Sequence, residues 1–499
     1  MKVLGYELDK EQEIIVKDES KSLLVIAGAG SGKTLTILGK IKYLVREKHV
    51  NQEEIITVTF TNNASKSLRE KLIKEDLSKV ESYTFHKLSM EILNKNYEIA
   101  NSDILSFIIH DFLYIKILES KKLMHLLLKY FKKRIVINIK EDYIMFVKNN
   151  EKQINNLERL IESFIHKLKC NNYNINSFID FNKKIKTIKN IFNYKNERIL
   201  LIIILNIYIE YNKYLEDNNE LDFDDLIIKA TDFIRNNEIN RKIKYIIIDE
   251  YQDISYIRLL LIKELIEKTN SKLMVVGDDY QSIYGFSGCN ISLFWNFNKH
   301  FNDSKYMKIE STYRNSQELL LIANKFITKN KKQIKKDAKS HKTLSNPIRI
   351  IYYNDIKKSI KKILDNLTEE VLILGRNNYD INLILDRDIK ISNENLIYVN
   401  NLSLKIKYMT VHKSKGLEYK NVIIINMTNS LTGFPSQIRD EKIERLVNLN
   451  DDNYPFSEER RLFYVALTRT KNYVYILTPY INKSCFVGEI EKIKRTSVL

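Results

Sequence analysis

One run of twelve residues limits the fold more than any other. LLVIAGAGSGKT, Leu23 to Thr34, opens as a continuous apolar strand, turns through three glycines in five positions, and ends where a helical pattern starts. Ala27, Gly28, Ala29, Gly30, Ser31, Gly32, Lys33 and Thr34 fit A/G-x-x-x-x-G-K-T, a phosphate-binding loop. Such a loop requires a strand on one side and a helix N-terminus on the other, where free backbone N–H groups hold an anion. Lys33 is then placed to reach the β- and γ-phosphates, and Thr34 to ligate Mg²⁺. A continuous apolar strand of this kind belongs to a parallel sheet covered on both faces.

The surrounding pattern agrees. A helix is expected from about Lys33 to Val45, then a strand at IITVTF (Ile55 to Phe60) and a helix from about Asn63. This is βαβ alternation. From His86 to Asp222 the pattern changes to long Ile/Leu/Lys helices without a strand signal, which reads as a helical insertion. Its most apolar run, ILLIIILNIYI (Ile199 to Ile209), is too short to span a bilayer and predicts a buried helix. Sheet-like runs return at Tyr245 to Asp249 and Lys272 to Val276. A second α/β unit follows Arg314, with strands expected at Ile348 to Tyr353, Val371 to Leu374, Ile406 to Val411, Asn421 to Asn426 and Tyr473 to Thr478. The stretch KNKKQIKKDAKSHK (Lys329 to Lys342) holds seven lysines in fourteen residues, read as a solvated face or a phosphate-tracking patch.

The 499 residues suffice for two to four domains, and the net charge of +18 favours polyanions. A Lys-, Asn- and Ile-rich composition accounts for part of that charge. Cys170, Cys289 and Cys485 lie far apart without C-x-x-C spacing, so neither a disulfide framework nor a zinc or iron–sulfur site is indicated. That usage fits a reducing, cytoplasmic setting. The start, MKVLGYELDKEQ, has no apolar segment of a signal peptide.

IIIDEYQD (Ile246 to Asp253) supplies the partner of the phosphate loop. Asp249 ends an apolar strand where it can hold Mg²⁺ through water, and Glu250 is placed to polarise an attacking water. The loop and this acidic pair together predict Mg-assisted hydrolysis of a nucleoside triphosphate.

Further stretches follow in a fixed order: LDKEQ (Leu8 to Gln12), TVTFTNNAS (Thr57 to Ser65), TFHKL (Thr84 to Leu88), LDFDDLI (Leu221 to Ile227), GDDYQSIYGFSG (Gly277 to Gly288), STYRNS (Ser311 to Ser316), MTVHKSKGLEY (Met409 to Tyr419) and EERRLFYVALTRTK (Glu458 to Lys471). With the two stretches above, they resemble the motifs of the UvrD/Rep/PcrA family of superfamily 1, A-type, DNA helicases, from Leu8 almost to the end of the chain. The resemblance implies an α/β fold: two RecA-like parallel-sheet P-loop NTPase domains, with an α-helical insertion, 1B, in the first. It implies domain 1A at 1–90 and 220–305, 1B at 91–219, and 2A at 306–499 with a reduced 2B remnant around 325–400.

It also implies roles. Gln12 reads adenine, Tyr313 stacks on it, and Glu418 contacts the ribose. Lys33, Glu250, Gln281, Arg314 and Arg469 are catalytic, with Gln281 sensing the γ-phosphate and the two arginines acting as fingers across the cleft. Phe286 stacks on a base of single-stranded DNA, and Tyr284, Phe60, Asn62, His86, Arg376, Asn378 and His412 line the same track. The implied cofactors are ATP and Mg²⁺, and the implied partner is single-stranded DNA or a 3′-tailed duplex.

The chain departs from the family pattern in places. Leu35 stands where an arginine often covers adenine. Phe286 and Ser287 stand where Trp and Arg are common, and Tyr280 replaces an acid. The interval from Arg314 to His412 is too short for a full 2B domain, and no nuclease domain is expected after the last motif. The expected activity is therefore an ATP-dependent helicase or translocase of 3′-to-5′ direction in repair, recombination or defence. The alternative is a motor subunit of a nuclease-containing antiphage complex of the Gabija type, with little unwinding of its own. A third reading, a DNA-binding module with an inactive ATP fold, conflicts with the intact catalytic set.

Overall fold

The computed structural model describes residues 1–497 apart from 95–96, 188–193, 240, 394, 439–440 and 450. Two parallel sheets organise the chain. The first has six strands in the order Ser304–Ile309, Ser22–Ala27, Lys272–Gly277, Tyr245–Ile248, Ile55–Thr59 and Glu81–Thr84, every neighbouring pair parallel. Every residue of Ser22–Ala27 is buried, as expected of a central strand covered on both faces. One apolar layer, with Leu23, Val25, Ile37 and Ile41, lies on one side of this sheet, and another, with Leu24, Ile26, Ile246 and Phe294, on the other.

Two sequence expectations shift here. Ser304–Ile309 pairs with Ser22–Ala27 along its whole length, so the first sheet runs past residue 305, where the sequence division was drawn. The interval 325–400 supplies strands Ile348–Tyr353 and Val371–Gly375 to the second sheet, plus an antiparallel pair, Ile389–Ser392 and Asn395–Tyr398, at its edge. The remaining strands of that seven-stranded sheet are Thr470–Pro479, Tyr419–Ile424 and Ile406–Thr410. The stretch around 325–400 therefore contributes four strands to the sheet of the second unit.

The insertion is helical among its described residues, apart from Glu98–Ile99, which pairs with Glu220–Leu221 where the chain leaves and re-enters the first unit. Helix Tyr194–Asp217 carries the apolar run Ile199 to Ile209 and buries most of it. The insertion's core also takes in Ile443, Leu446 and Val447 from the second unit. Lys167 pairs with Glu444 at 2.7 Å in buried surroundings, and Asn171 Nδ2 donates to the Val447 carbonyl at 2.8 Å. Among the described residues, no helix is long and apolar enough to cross a membrane.

Candidate functional site

The phosphate loop joins strand Ser22–Ala27 to helix Lys33–Arg46. Gly30 and Gly32 have φ of 72° and 79°, a left-handed conformation that glycine adopts without penalty. Space enforces the same choice. A Cβ on Gly30 would lie 2.5 Å from Arg314 Cβ, and one on Gly32 would lie 2.7 Å from Gln12 Nε2. Gly32 caps the helix without a side-chain hydrogen bond, so the first-turn N–H groups are left to an anion. Gln12 is buried against the loop. Its Nε2 donates to the Ser31 carbonyl at 3.2 Å, and its helix is held by a capping box with Asp9.

Asp249 and Glu250 follow strand Tyr245–Ile248. Glu250 itself is left-handed, φ 54°, an uncommon state for a non-glycine residue that recurs at functional sites. Lys33 Nζ lies 2.9 Å from Glu250 Oε1, and the Glu250 N–H donates to Asp249 Oδ1 at 2.8 Å. Burial opposes the charge on Glu250, but Lys33 and Lys415 outweigh it and hold its carboxyl at about 2. Burial, then the Glu250 charge, raises Asp249 to about 6. Burial also opposes the charge on Lys33, and the carboxylates of Glu250, Asp249 and Asp278 override it, so its pKa lies above the ordinary lysine value. The donor set fits a hard cation beside phosphate oxygens: the Thr34 hydroxyl at the loop and the Asp249 carboxylate at the strand end.

The second unit closes directly on this loop. Thr312 Oγ1 donates to the Ala29 carbonyl at 2.8 Å and the Tyr313 N–H to the Gly30 carbonyl at 3.0 Å. Arg469 is buried, and its Nη2 donates to Gln281 Oε1 at 3.1 Å. Burial and the neighbouring Arg314 lower its pKa to about 9, which leaves it charged at neutral pH. The other end of the Gln281 amide donates to Asp278 Oδ2 at 2.6 Å. Arg314 Nε lies 2.9 Å from Glu418 Oε2, and Lys471 Nζ lies 2.6 Å from Glu418 Oε1. The expected finger and the expected ribose contact are thus tied to each other. Tyr313 is 60 % exposed with its hydroxyl on Asp9 at 3.0 Å, an open ring beside Gln12.

The residues expected on the DNA side fall into two groups. In one, Tyr284 donates to the His412 carbonyl at 3.2 Å, and the Phe286 ring lies 5.5 Å from His412 and 6.1 Å from Tyr284. Phe286 is 58 % exposed. Arg376 pairs with Glu459 at 2.7 Å. Burial, then Arg376, lowers His412 to about 4. In the other group, Phe60 lies 5.2 Å from Phe85 beneath the Arg258 guanidinium, and His86 lies 4.6 Å from Phe223. Burial, then Arg258, lowers His86 to about 4. Asn62 and Asn378 are exposed at the first positions of Asn62–Lys74 and Asn378–Leu383.

Sequence reasoning missed three participants. Lys415 donates to Asp253 and, at 2.8 Å, to the Gln281 carbonyl. It was legible as the basic residue of HKSKG. Phe223, 46 % exposed, was legible as the aromatic in LDFDDLI. Lys336 was not legible. The lysine-rich stretch, expected to be a solvated or phosphate-tracking face, drives Lys336 into the interior. Its Nζ meets Asp278 and, at 2.7 Å, Asp279, and lies 3.4 Å from the centre of the Tyr280 ring. The tyrosine that replaces an acid thus receives a cation on its face.

Comparison with known proteins identifies the family. The family model of the UvrD/REP helicase N-terminal domain covers residues 8–302, and that of the viral superfamily 1 RNA helicase core domain covers residues 224–478. The chain belongs to the UvrD/Rep-like family of superfamily 1 helicases. It is 28 % identical to a probable DNA helicase of Mycoplasma pneumoniae over 97 % of this chain and 87 % of that one. It is 28 % identical to DNA helicase IV of Escherichia coli, over 96 % and 69 % of the two chains. It is 31 % identical to the ATP-dependent DNA helicase Rep of Buchnera aphidicola, over 84 % of this chain and 61 % of the relative.

Proposed function

We propose that this chain is an ATP-driven motor on single-stranded DNA, moving 3′ to 5′ and separating duplex ahead of it. The observation that carries the reading is one loop. Gln281, held by Asp278 and Arg469, and Phe286, exposed beside Tyr284 and His412, stand five residues apart between the phosphate loop and the open aromatic surface. A change in the hold on Gln281 is transmitted along the loop to the ring that grips a base. Base stacking contributes roughly 1–3 kcal/mol per base and tolerates any sequence, as a motor on mixed sequence requires.

Lys33 and the helix N-terminus bind the phosphates of ATP. Lys33 then exchanges its contact with Glu250 for the substrate, and Glu250, fully ionised, accepts a hydrogen bond from the attacking water. Arg469 and Arg314 offset charge that develops at the transferred group, a contribution worth about 10³–10⁵ in rate in enzymes of this chemistry. Mg²⁺, held by Thr34 and Asp249 when bound, neutralises phosphate charge. The division into 1A, 1B and 2A belongs to the same proposal, with 1A carried to Ile309 by its edge strand.

The test is ATP turnover with and without single-stranded DNA, on the wild type and on Glu250→Gln. The expected result is strong stimulation by DNA that vanishes in the variant, followed by displacement of a strand annealed to a 3′-tailed template. Folded protein without DNA-dependent turnover would overturn the autonomous motor. It would favour the second reading, a motor subunit that needs a nuclease or repair partner, which the use of the 325–400 interval for sheet strands supports.

A further inference from the structure

We infer that His166, Cys170 and Asp224 form a zinc-type metal site that ties the helical insertion to the first unit. No pair of ligand-spaced cysteines announces it. The three donors come from two helices whose sequence positions are far apart. His166 and Cys170 stand four residues apart on helix Glu151–Cys170, a spacing that puts both side chains on one face. Asp224 lies in the first turn of helix Phe223–Asn236. The donor atoms of all three lie within 4.8 Å of one another.

The distances are the edges of a coordination polyhedron. His166 Nδ1 is 3.2 Å from Asp224 Oδ2. Cys170 Sγ is 3.5 Å and 3.6 Å from the two Asp224 oxygens, and 4.0 Å from the same His166 Nδ1. Tetrahedral zinc, with Zn–S of about 2.3 Å and Zn–N or Zn–O of about 2.0 Å, sets neighbouring donors about 3.3–3.6 Å apart. Nitrogen, thiolate and carboxylate together suit zinc and exclude the all-oxygen sites of magnesium and calcium. Cys170 and Asp224 are buried, whereas the His166 side chain is 42 % exposed. Solvent therefore has access to a fourth position.

Without metal the thiol keeps its proton, since burial and then Asp224 raise Cys170 well above its ordinary range. Asp224 outweighs the effect of burial on His166 and raises its proton affinity. Binding Zn²⁺ forms Zn–S, Zn–N and Zn–O bonds and releases the thiol proton to solvent. Arg258, Lys169 and Cys289 also face the trio.

The position gives the site its consequence. A Cβ built on Gly288, at the end of the loop carrying Gln281 and Phe286, would lie 2.5 Å from Cys170 Sγ. Phe223, beside His86, starts the helix that supplies Asp224. A metal here would pin the insertion against both.

The experiment is titration of the purified full chain with Co²⁺ and then Zn²⁺. The expected result is one equivalent of tightly held Co²⁺ with near-ultraviolet thiolate-to-cobalt absorption, displaced by Zn²⁺. Cys170→Ser abolishes that absorption and weakens binding by more than the roughly 10- to 100-fold typical of losing an outer-shell partner. Cys289→Ser and Cys485→Ser retain it. Zinc should also raise the thermal midpoint of the wild type and not that of Cys170→Ser. Absence of stoichiometric cobalt uptake by the folded wild type would overturn the assignment and leave a hydrogen-bonded trio. So would thiolate absorption lost in Cys485→Ser, which would place the metal elsewhere.

Discussion

Lys336→Met removes one cation from a closed group of charges. The ammonium sits between Asp278 and Asp279 over Tyr280, with the lysine 3 % exposed and both carboxylates at 0 %. Tyr280 in turn donates to the Ile334 carbonyl at 2.8 Å, and the Ile334 N–H donates to Asp279 at 2.7 Å. Methionine preserves the volume of the stem and leaves two buried carboxylates without their direct ion-pair partner. Breaking a buried pair from one side costs about 3–5 kcal/mol. For a cooperative unit of about 150–250 residues this lowers the melting midpoint by roughly 6–20 °C. Adding Asp279→Asn to Lys336→Met removes one orphaned charge and should recover about half of the loss. The sign of the pH dependence follows as well. Burial already raises Asp279 above its ordinary value in the wild type, and loss of Lys336 raises it further. An acid raised in the folded state takes up a proton there first, so the deficit of the variant shrinks as pH falls and grows as pH rises. Calorimetry of wild type, single and double variants between pH 5 and 8 measures all three effects. A deficit below about 1 kcal/mol, or one that deepens in acid, would refute the reasoning.

Three further changes test other parts of the molecule. Phe286→Ala should weaken binding of single-stranded DNA by about 5- to 150-fold, the equivalent of roughly 1–3 kcal/mol, while the slope of affinity against salt stays constant because no phosphate contact is lost. Fluorescence anisotropy at several salt concentrations checks both, and a changed slope with unchanged affinity would contradict the stacking role. His86 and His412 lie at about 4 in the folded protein against about 6.5 in an unfolded chain. Their contribution to stability is intact above about 6.5 and is lost as pH falls toward 4. His86→Gln with His412→Gln should flatten that acid branch in denaturant titrations, and an unchanged branch would assign it to other groups. Gly288→Ala forces a Cβ to within 2.6 Å of Cys170 Cβ at a φ of 78°. A destabilisation of roughly 1–3 kcal/mol is expected in thermal melts, and Cys170→Ala in the same chain should not remove the part due to φ.

The nucleotide side of the molecule was largely legible because its signals are local. Ser22–Ala27 and Tyr245–Ile248 are nearly continuous apolar runs, and each leads into residues proposed to carry the chemistry. Ser304–Ile309, SKYMKI, gave no strand signal, since an edge strand keeps charged residues such as Lys305 and Lys308 on its open side. The hairpin strands IKIS and NLIY are four residues each, too short for a period to show. Lys336 is one lysine among seven, and its burial depends on two aspartates more than fifty residues away. Lys167 and Glu444 are 277 positions apart, and nothing near either one names the other. His166 and Cys170 were not read as a donor pair, and the third donor is 54 residues from Cys170.

The passage between the two sheets is short. Ile309 ends the last strand of the first sheet, and Ser311–Thr312 already pairs with Lys339–Ser340. Glu310 alone stands between them. Its N–H and that of Ser311 donate to the Glu11 carboxylate at 2.8 Å and 3.2 Å, and Glu11 is the neighbour of Gln12. The joint therefore works as an axle with its bearing on the adenine-side helix rather than as a slack tether. Rotation of one half against the other would strain this joint together with the bonds of Thr312 and Tyr313 to the phosphate loop.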